Sequence, residues 1–184
     1  MALLEILLEG DPRLRQKALR IRNVDDSLRR LADDMYETML AAPGVGLAAP
    51  QVGVLRRLIW VHVPENFHEE DGPELSIPLV NPEIVKASGR ILGYEGCLSI
   101  PKIREDINRH ETVTLEFMNE NFEPQVKTFT GLTARVILHE YDHIEGKLFI
   151  DHISPLKRKL MKGRLNDISK GKISVDYKML FPKK

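Results

Sequence analysis

The chain has 184 residues, 42% of them hydrophobic and 29% charged, with a formal net charge of zero, so it can bury the core of one domain without disulfides and does not have the composition of a disordered protein. No apolar run approaches the roughly 18 residues of a membrane span, and the first ten residues lack the basic start and cleavage site of a signal peptide, which together place the protein in the cytoplasm, with no membrane partner. The zero charge hides an asymmetry: Pro155 to Lys184 holds ten Lys and Arg against two Asp, a net +8, leaving −8 on the rest.

In chain order, Leu28, Leu31, Met35 and Met39 recur at helical spacing after the cap candidates Asp25 and Asp26, which predicts an amphipathic helix over 26–41 that stops at Pro43-Gly44. The run Leu58 to Val63 is short and rich in β-branched residues, as a buried strand is. Residues 64–77, acidic and bearing proline, are expected as a loop, and Leu79-Val80 with Ile84-Val85 as strand broken by Pro82. Val113, Leu115 and Phe117 alternate with polar residues, and a turn at Asn119-Glu120-Asn121 leads to Val126–Phe129, which reads as a hairpin. From Leu132 to Glu145 no helix breaker intervenes and apolar residues fall on several faces, so this helix is expected to be buried. Ser154-Pro155 then opens a C-terminal helix with Leu156, Leu160, Met161 and Leu165 on its apolar side. Strands and helices do not alternate regularly, which favours an α+β fold: mixed or antiparallel sheets packed around a central buried helix, with a further helix near the C-terminus. Residues 1–170 are expected as a single catalytic domain and 171–184 as a basic tail.

The central helix carries His139-Glu140-Tyr141-Asp142-His143, an HExxH motif. Two imidazoles four residues apart lie one turn along the same face and can reach one cation, with Glu140 beside them to exchange a proton with its water. Such groups in an apolar helix are costly to bury unless paired or metal-bound. A catalytic site of this kind needs a third protein ligand and an open position. The metzincin continuation fails, because Phe149 stands where a third histidine would, and no glutamate follows Glu145. The one soft ligand available is Cys97, the chain's single cysteine, between Gly96 and Leu98.

Gly44-Val45-Gly46-Leu47-Ala48-Ala49-Pro50-Gln51, Glu95-Gly96-Cys97-Leu98-Ser99 and His139-Glu140-Tyr141-Asp142-His143, in that order, resemble the three signature motifs of bacterial peptide deformylases. The likeness extends from Gly10-Asp11-Pro12-Arg13-Leu14-Arg15 to Gly146-Lys147-Leu148-Phe149-Ile150-Asp151. It implies removal of the formyl group from N-formyl-methionyl nascent peptides with release of formate. It also implies metal ligation by Cys97, His139 and His143, acid/base catalysis by Glu140, and oxyanion donors in the Gln51 side chain and the Leu98 N–H. Gly44, Val45 and Gly46 correspond to the family's edge strand, to which a substrate backbone adds as an extra strand. Val45, Leu132 and Arg104 match positions of its methionine pocket, and Glu95, in the cysteine motif, is grouped with the substrate-binding residues. Fe(II) is the implied cellular metal, and Zn(II) or Ni(II) also suit one thiolate and two imidazoles. One position departs from the pattern: the family usually has Gln before the first histidine, and this chain has Leu138.

His62, His68, His110 and His152 are expected to be structural or at the surface. HExxH alone also fits a zinc endopeptidase, and a family member that binds formylated chains without turnover is the alternative outside enzymology. The basic C-terminal segment is expected to dock on the ribosome, where nascent chains emerge.

Overall fold

A computed structural model describes residues 2–65 and 74–182. The first helix, α1 (Asp26–Ala41), is capped by Asp25, whose carboxylate accepts from the Leu28 N–H at 2.9 Å, and its buried stripe includes Leu28, Met35 and Met39. After the short edge strand β2 (Gly46–Ala48) comes β3 (Leu58–Val63). Alternate residues of β3 serve two cores: Ile59, Val61 and Val63 join one cluster, Leu58 and Trp60 the other. With both faces covered, the run is apolar throughout rather than alternating.

The next strand corrects two expectations. β4 (Leu75–Ser88) begins inside the predicted 64–77 loop, of which residues 66–73, including His68, lie outside the described residues. Pro82 does not break it. The pairing register shifts between Val80 and Glu83, a bulge in which a residue without an N–H forfeits no ladder bond. Asn81, at φ 51°, ties the bulge down by bonding both the N–H and the C=O of Ile21 at 2.8 Å.

An unforeseen hairpin follows: β5 (Ile91–Cys97) and β6 (Ile100–Arg109) form their own two-stranded antiparallel sheet. The expected hairpin, β7 (Thr112–Met118) and β8 (Pro124–Thr130), completes a five-stranded antiparallel sheet in the order β2-β3-β4-β7-β8. On this sheet lies α2 (Gly131–Ile144), buried without interruption from Thr133 to Glu140. Ala134, Val136, Ile137, Leu138 and Ile144 pack with Ile59, Val61, Leu79, Val113 and Leu115 from the sheet. The second core gathers α1, the β5–β6 hairpin and the C-terminal elements.

The last helix, α3 (Pro155–Ser169), starts with Ser154 as its N-cap, as expected, but its apolar stripe is not the predicted one. Met161 and Ile168 are buried with Leu165 packed beside them, whereas Leu156 and Leu160 are 69% and 78% exposed. At about 100° per residue, Met161, Leu165 and Ile168 fall within roughly 60° of arc, with Leu160 about 100° and Leu156 about 140° away from Met161. The segment expected as a basic tail folds back. Ile173, Val175 and Tyr177 pack against the second core, and β9 (Met179–Leu180) pairs in parallel with β1 (Ile6–Leu7). Among the described residues the architecture is α+β, with two antiparallel sheets, the small parallel β1–β9 pair and three α-helices, none of which is long and apolar enough to cross a membrane.

Candidate metal centre

α2 brings His139 and His143 to one face, and the end of β5 brings Cys97 against them. The Cys97 Sγ lies 3.3 Å from His143 Nε2, and the potential ligand atoms of Cys97, His139 and His143 are all within 4.8 Å of one another. Cys97 reaches this place because the β5–β6 register breaks after Gly96: Gly96 faces Arg104, while Cys97 faces Ile100 across a tight turn through Leu98-Ser99. His139 Nδ1 is 3.0 Å from Glu95 Oε2, which leaves its Nε2 for the centre. Phe149, at the place where a third histidine would stand in another metalloprotein class, instead stacks on the His139 ring with centroids 6.0 Å apart.

The donor set fits a divalent cation. One thiolate and two imidazoles are a familiar catalytic set, with neighbouring ligand atoms about 3.5 Å apart around a tetrahedral ion. The Cys97–His143 pair is near that spacing, and His139 is held by a carboxylate, as metal-binding imidazoles usually are.

Glu140 is buried beside the two histidines, and its Oε2 has no hydrogen-bond partner among the described residues. Burial pushes its pKa up to about 7, against the lowering effect of His139. Room for this carboxylate comes from Gly46 on β2, where a Cβ would run into the Glu140 side chain, 2.8 Å from its Cδ and Cγ. Gln51, in the turn after β2, is also buried. Its Oε1 accepts from the Ala48 N–H at 2.9 Å, which fixes the amide so that Nε2 points to Ser99 Oγ at 3.2 Å and to Cys97 Sγ at 3.6 Å.

The structure places Glu95 differently from the expectation that grouped it with substrate-binding residues. Its side chain is buried behind His139, and its two oxygens meet His139, the Arg109 guanidinium in a bidentate pair at 2.9 and 3.0 Å, and Arg135 at 2.8 Å. Burial alone would raise its pKa; hydrogen bonds from His139 and Arg109 and the Arg109 charge outweigh this and hold the carboxyl at about 2. Arg135 also donates to the carbonyls of Ile91, Gly93 and Ile107 at 2.7, 3.2 and 2.9 Å. Arg109 continues the chain of contacts to Asp142 at 2.6 Å, and Asp142 to His152 at 2.7 Å. Sequence reading missed this network because arginine is mostly a surface residue, and nothing local marks Arg109 and Arg135 as buried.

The remaining expected site residues are spread over several elements. β2 is the terminal strand of its sheet, with Val45 C=O accepting from the His62 N–H at 2.9 Å on its paired side. Gly44 approaches Leu98 closely, a Cβ there being 2.9 Å from Leu98 Cδ1. Val45 and Leu132 pack against the same core cluster. The Arg104 side chain is exposed and lies over Gly96. His62 stands in β3, and His110 Nδ1 is 3.2 Å from the Gly89 carbonyl.

A model of the family described as "Polypeptide deformylase" matches residues 3–159. The chain is 53% identical over 154 residues, 83% of this chain and 87% of the relative, to a peptide deformylase of Thermomicrobium roseum. Its structure superposes on that of a peptide deformylase from Ehrlichia chaffeensis with a TM-score of 0.85 at 32% identity, covering 93% of this chain and 99% of the other. It also superposes on a class I type b peptide deformylase from Acinetobacter baumannii solved with Met-Ala-Ser bound, with a TM-score of 0.78 at 35% identity over 83% of this chain and 99% of the other. Matched over most of its length in sequence and in structure, the chain belongs to the polypeptide deformylase family.

Proposed function

We propose that this centre carries out the family's reaction, hydrolytic removal of the N-formyl group from nascent peptides, with Cys97, His139 and His143 as metal ligands, Glu140 as the proton carrier and Gln51 and the Leu98 N–H as oxyanion donors. The observation that carries these roles is the convergence of ligand atoms from two separate elements, β5 and α2, with Glu140 Oε2 beside them and without a hydrogen bond among the described residues. A divalent cation bound there supplies a water acidic enough to be deprotonated near neutral pH. Glu140 takes a proton at its free Oε2 and later passes one to the departing amine, which requires a carboxylate within reach of both. The Gln51 Nε2–H, aimed by the Ala48 N–H, and the Leu98 N–H bind the oxygen that gains charge, each worth roughly 3 kcal/mol by analogy with other acyl-transfer sites. The free side of β2 and of the two residues that lead into it, at Gly44, Val45 and Gly46, offers backbone groups to an added peptide strand, with Val45, Leu132 and Arg104 around the methionine side chain. Met-Ala-Ser, bound in the Acinetobacter baumannii structure, has the form of a deformylated product.

Fe(II) is the proposed cellular ion, with Zn(II) or Ni(II) compatible with the same donors. Anaerobically purified protein should release formate from a formyl-Met peptide, lose that activity to a chelator and regain it with added metal. Cleavage of an internal peptide bond without formate release would replace this reading with an endopeptidase.

The substrate places the enzyme in the cytoplasm, where nascent chains emerge, and the exposed side of α3 is the proposed contact with ribosomal RNA. Lys159 and Lys162 are exposed there beside Leu156 and Leu160. Other basic residues of α3 have intramolecular partners: Lys157 pairs with Glu105 at 2.7 Å, Arg158 with Asp151 at 3.5 Å, and Arg164 donates to the Lys102 carbonyl. Reversing Lys159 and Lys162 to Glu therefore tests docking without opening the fold. Sedimentation with ribosomes should drop and become less salt-sensitive, while hydrolysis of a short formyl-Met peptide persists; undiminished sedimentation would remove α3 from the contact.

A further inference from the structure

The end of the chain returns to the turn that carries the centre. β9 lies parallel to β1, with Ile6 opposite Met179 and the Ile6 N–H donating to the Lys178 carbonyl at 3.0 Å. Two residues before β9, the Tyr177 hydroxyl donates to the Leu98 carbonyl at 2.7 Å. Two residues after β1, the Glu9 N–H donates to the Ser99 carbonyl at 2.8 Å. The two successive carbonyls of the Leu98-Ser99 turn are thus each held by a neighbour of one small parallel sheet. Gln51 adds a third hold through Ser99 Oγ.

We propose that Tyr177 is a positioning residue for deformylation: by fixing the Leu98 carbonyl it fixes the orientation of the Leu98 N–H toward the oxyanion. The inference rests on the reading of that N–H as an oxyanion donor. Cys97 is restrained on one side of Leu98 by its place against His143, and on the other the Leu98–Ser99 peptide is restrained by Tyr177 and the next peptide, Ser99–Ile100, by Glu9. The Cys97–Leu98 peptide between them, which bears the N–H, is left with little freedom to rotate. A donor held in place before the reaction begins needs no reorganisation as charge develops, and that is the source of its catalytic worth. Burial raises the Tyr177 phenol's pKa, with the neighbouring Cys97 adding to the effect, so the hydroxyl remains a donor. Tyr177 lies beyond the 3–159 span of the family match, so this support comes from a segment that the match does not cover. That segment is anchored for the purpose: Ile173, Val175, Tyr177 and Met179 turn inward at every second residue.

The test is Tyr177→Phe in the metal-loaded, full-length enzyme, which keeps the ring in the core and removes the donor. Loss of one such hydrogen bond should lower kcat on a formyl-Met peptide by about five- to tenfold, with KM and metal content unchanged. Amide hydrogen exchange over residues 97–99 should become faster. Unchanged exchange would overturn the proposal, since Tyr177 would then not be holding the turn. Faster exchange with wild-type kcat would overturn it as well. Leu98→Pro, which deletes the N–H itself, separates this failure from that of the underlying reading. Near-wild-type kcat in a metal-replete Leu98→Pro enzyme would sink the oxyanion assignment, whereas loss there beside wild-type kcat in Tyr177→Phe would sink the role of Tyr177 alone.

Discussion

Two clusters of buried polar groups meet at His139, and they are built on opposite terms. Behind the histidine, Glu95 accepts from His139, Arg109 and Arg135, and Arg135 spends its remaining donors on three carbonyls of the β5–β6 hairpin. In front of it, Glu140 Oε2 is buried with no hydrogen-bond partner among the described residues, and Cys97 Sγ and His143 Nε2 point at each other at 3.3 Å. A buried charge is tolerated when its lone pairs and protons are used, so the rear cluster fits a scaffold. Unused buried groups that converge have a cost that only a ligand or a reaction recovers. Lack of a hydrogen bond is not sufficient by itself: Arg57 Nε and His62 Nδ1 also have none among the described residues, although His62 Nδ1 lies 3.8 Å from a Glu74 carboxylate oxygen, and both sit at β3, outside the Cys97, His139 and His143 cluster. Convergence separates the two cases.

The front cluster should fail by losing metal or chemistry, and the rear one by losing stability and affinity. The largest effect is expected for Cys97→Ala. Two imidazoles alone bind a divalent ion far more weakly than three ligands that include a thiolate, so both metal and formate release should vanish. Full metal occupancy in that variant, by elemental analysis, would overturn the ligand set. Glu140→Gln should instead keep its metal and its fold, because no ligand is removed, while turnover drops by about 10²- to 10⁴-fold. Near-normal formate release would place the proton carrier elsewhere.

Glu95→Gln probes the rear cluster. It keeps the shape but removes the charge shared by Arg109 and Arg135, and breaking a buried pair on one side costs about 3 kcal/mol, a fall in Tm of roughly 6–12 °C for a chain of this size. Weaker support for His139 should also reduce metal affinity by about 10- to 100-fold, with turnover preserved once metal is saturating. Should turnover stay low at saturating metal, Glu95 would belong to the reacting groups and the division between the clusters would be misplaced.

The front cluster was legible because it is written as short motifs: HExxH puts two candidate ligands on one helix face with Glu140 beside them, and a lone Cys between Gly96 and Leu98 offers a third. The rear cluster was not, because burial of Arg109 and Arg135 depends on partners 14 and 40 residues from them at Glu95. The same limit governed the fold. α1, β3, the β7–β8 hairpin and α2 follow from local periodicity. The β5–β6 hairpin does not: burial alternates along β6 from Pro101 to Arg109, but Glu105 and Arg109 hold two of the inward positions, so the apolar alternation is broken in the sequence, and the register shifts after Gly96. The alternation of Ile173, Val175, Tyr177 and Met179 is readable, but their basic surroundings masked it, and what they pack against is far away in sequence.

The smallest effect is expected at Leu138, where the chain departs from the glutamine usual beside the first histidine. The residue is a neighbour of His139 in sequence, yet its side chain is buried with Ala134, Ile137 and the sheet residues Val61 and Leu115 rather than with the ligands. It therefore falls on the scaffold side of the comparison despite its place in the motif. An amide put into that apolar contact costs about 1–3 kcal/mol unless it finds a partner, which for a chain of this length lowers Tm by roughly 2–12 °C. Metal content and kcat should stay within about threefold of the parent, because no ligand, proton carrier or oxyanion donor is touched. Calorimetry beside a formate assay on Leu138→Gln distinguishes the two sides. A change in metal preference or turnover at unaltered Tm would mean that the side chain acts on the centre through His139, and the boundary between scaffold and site would then run through α2 itself.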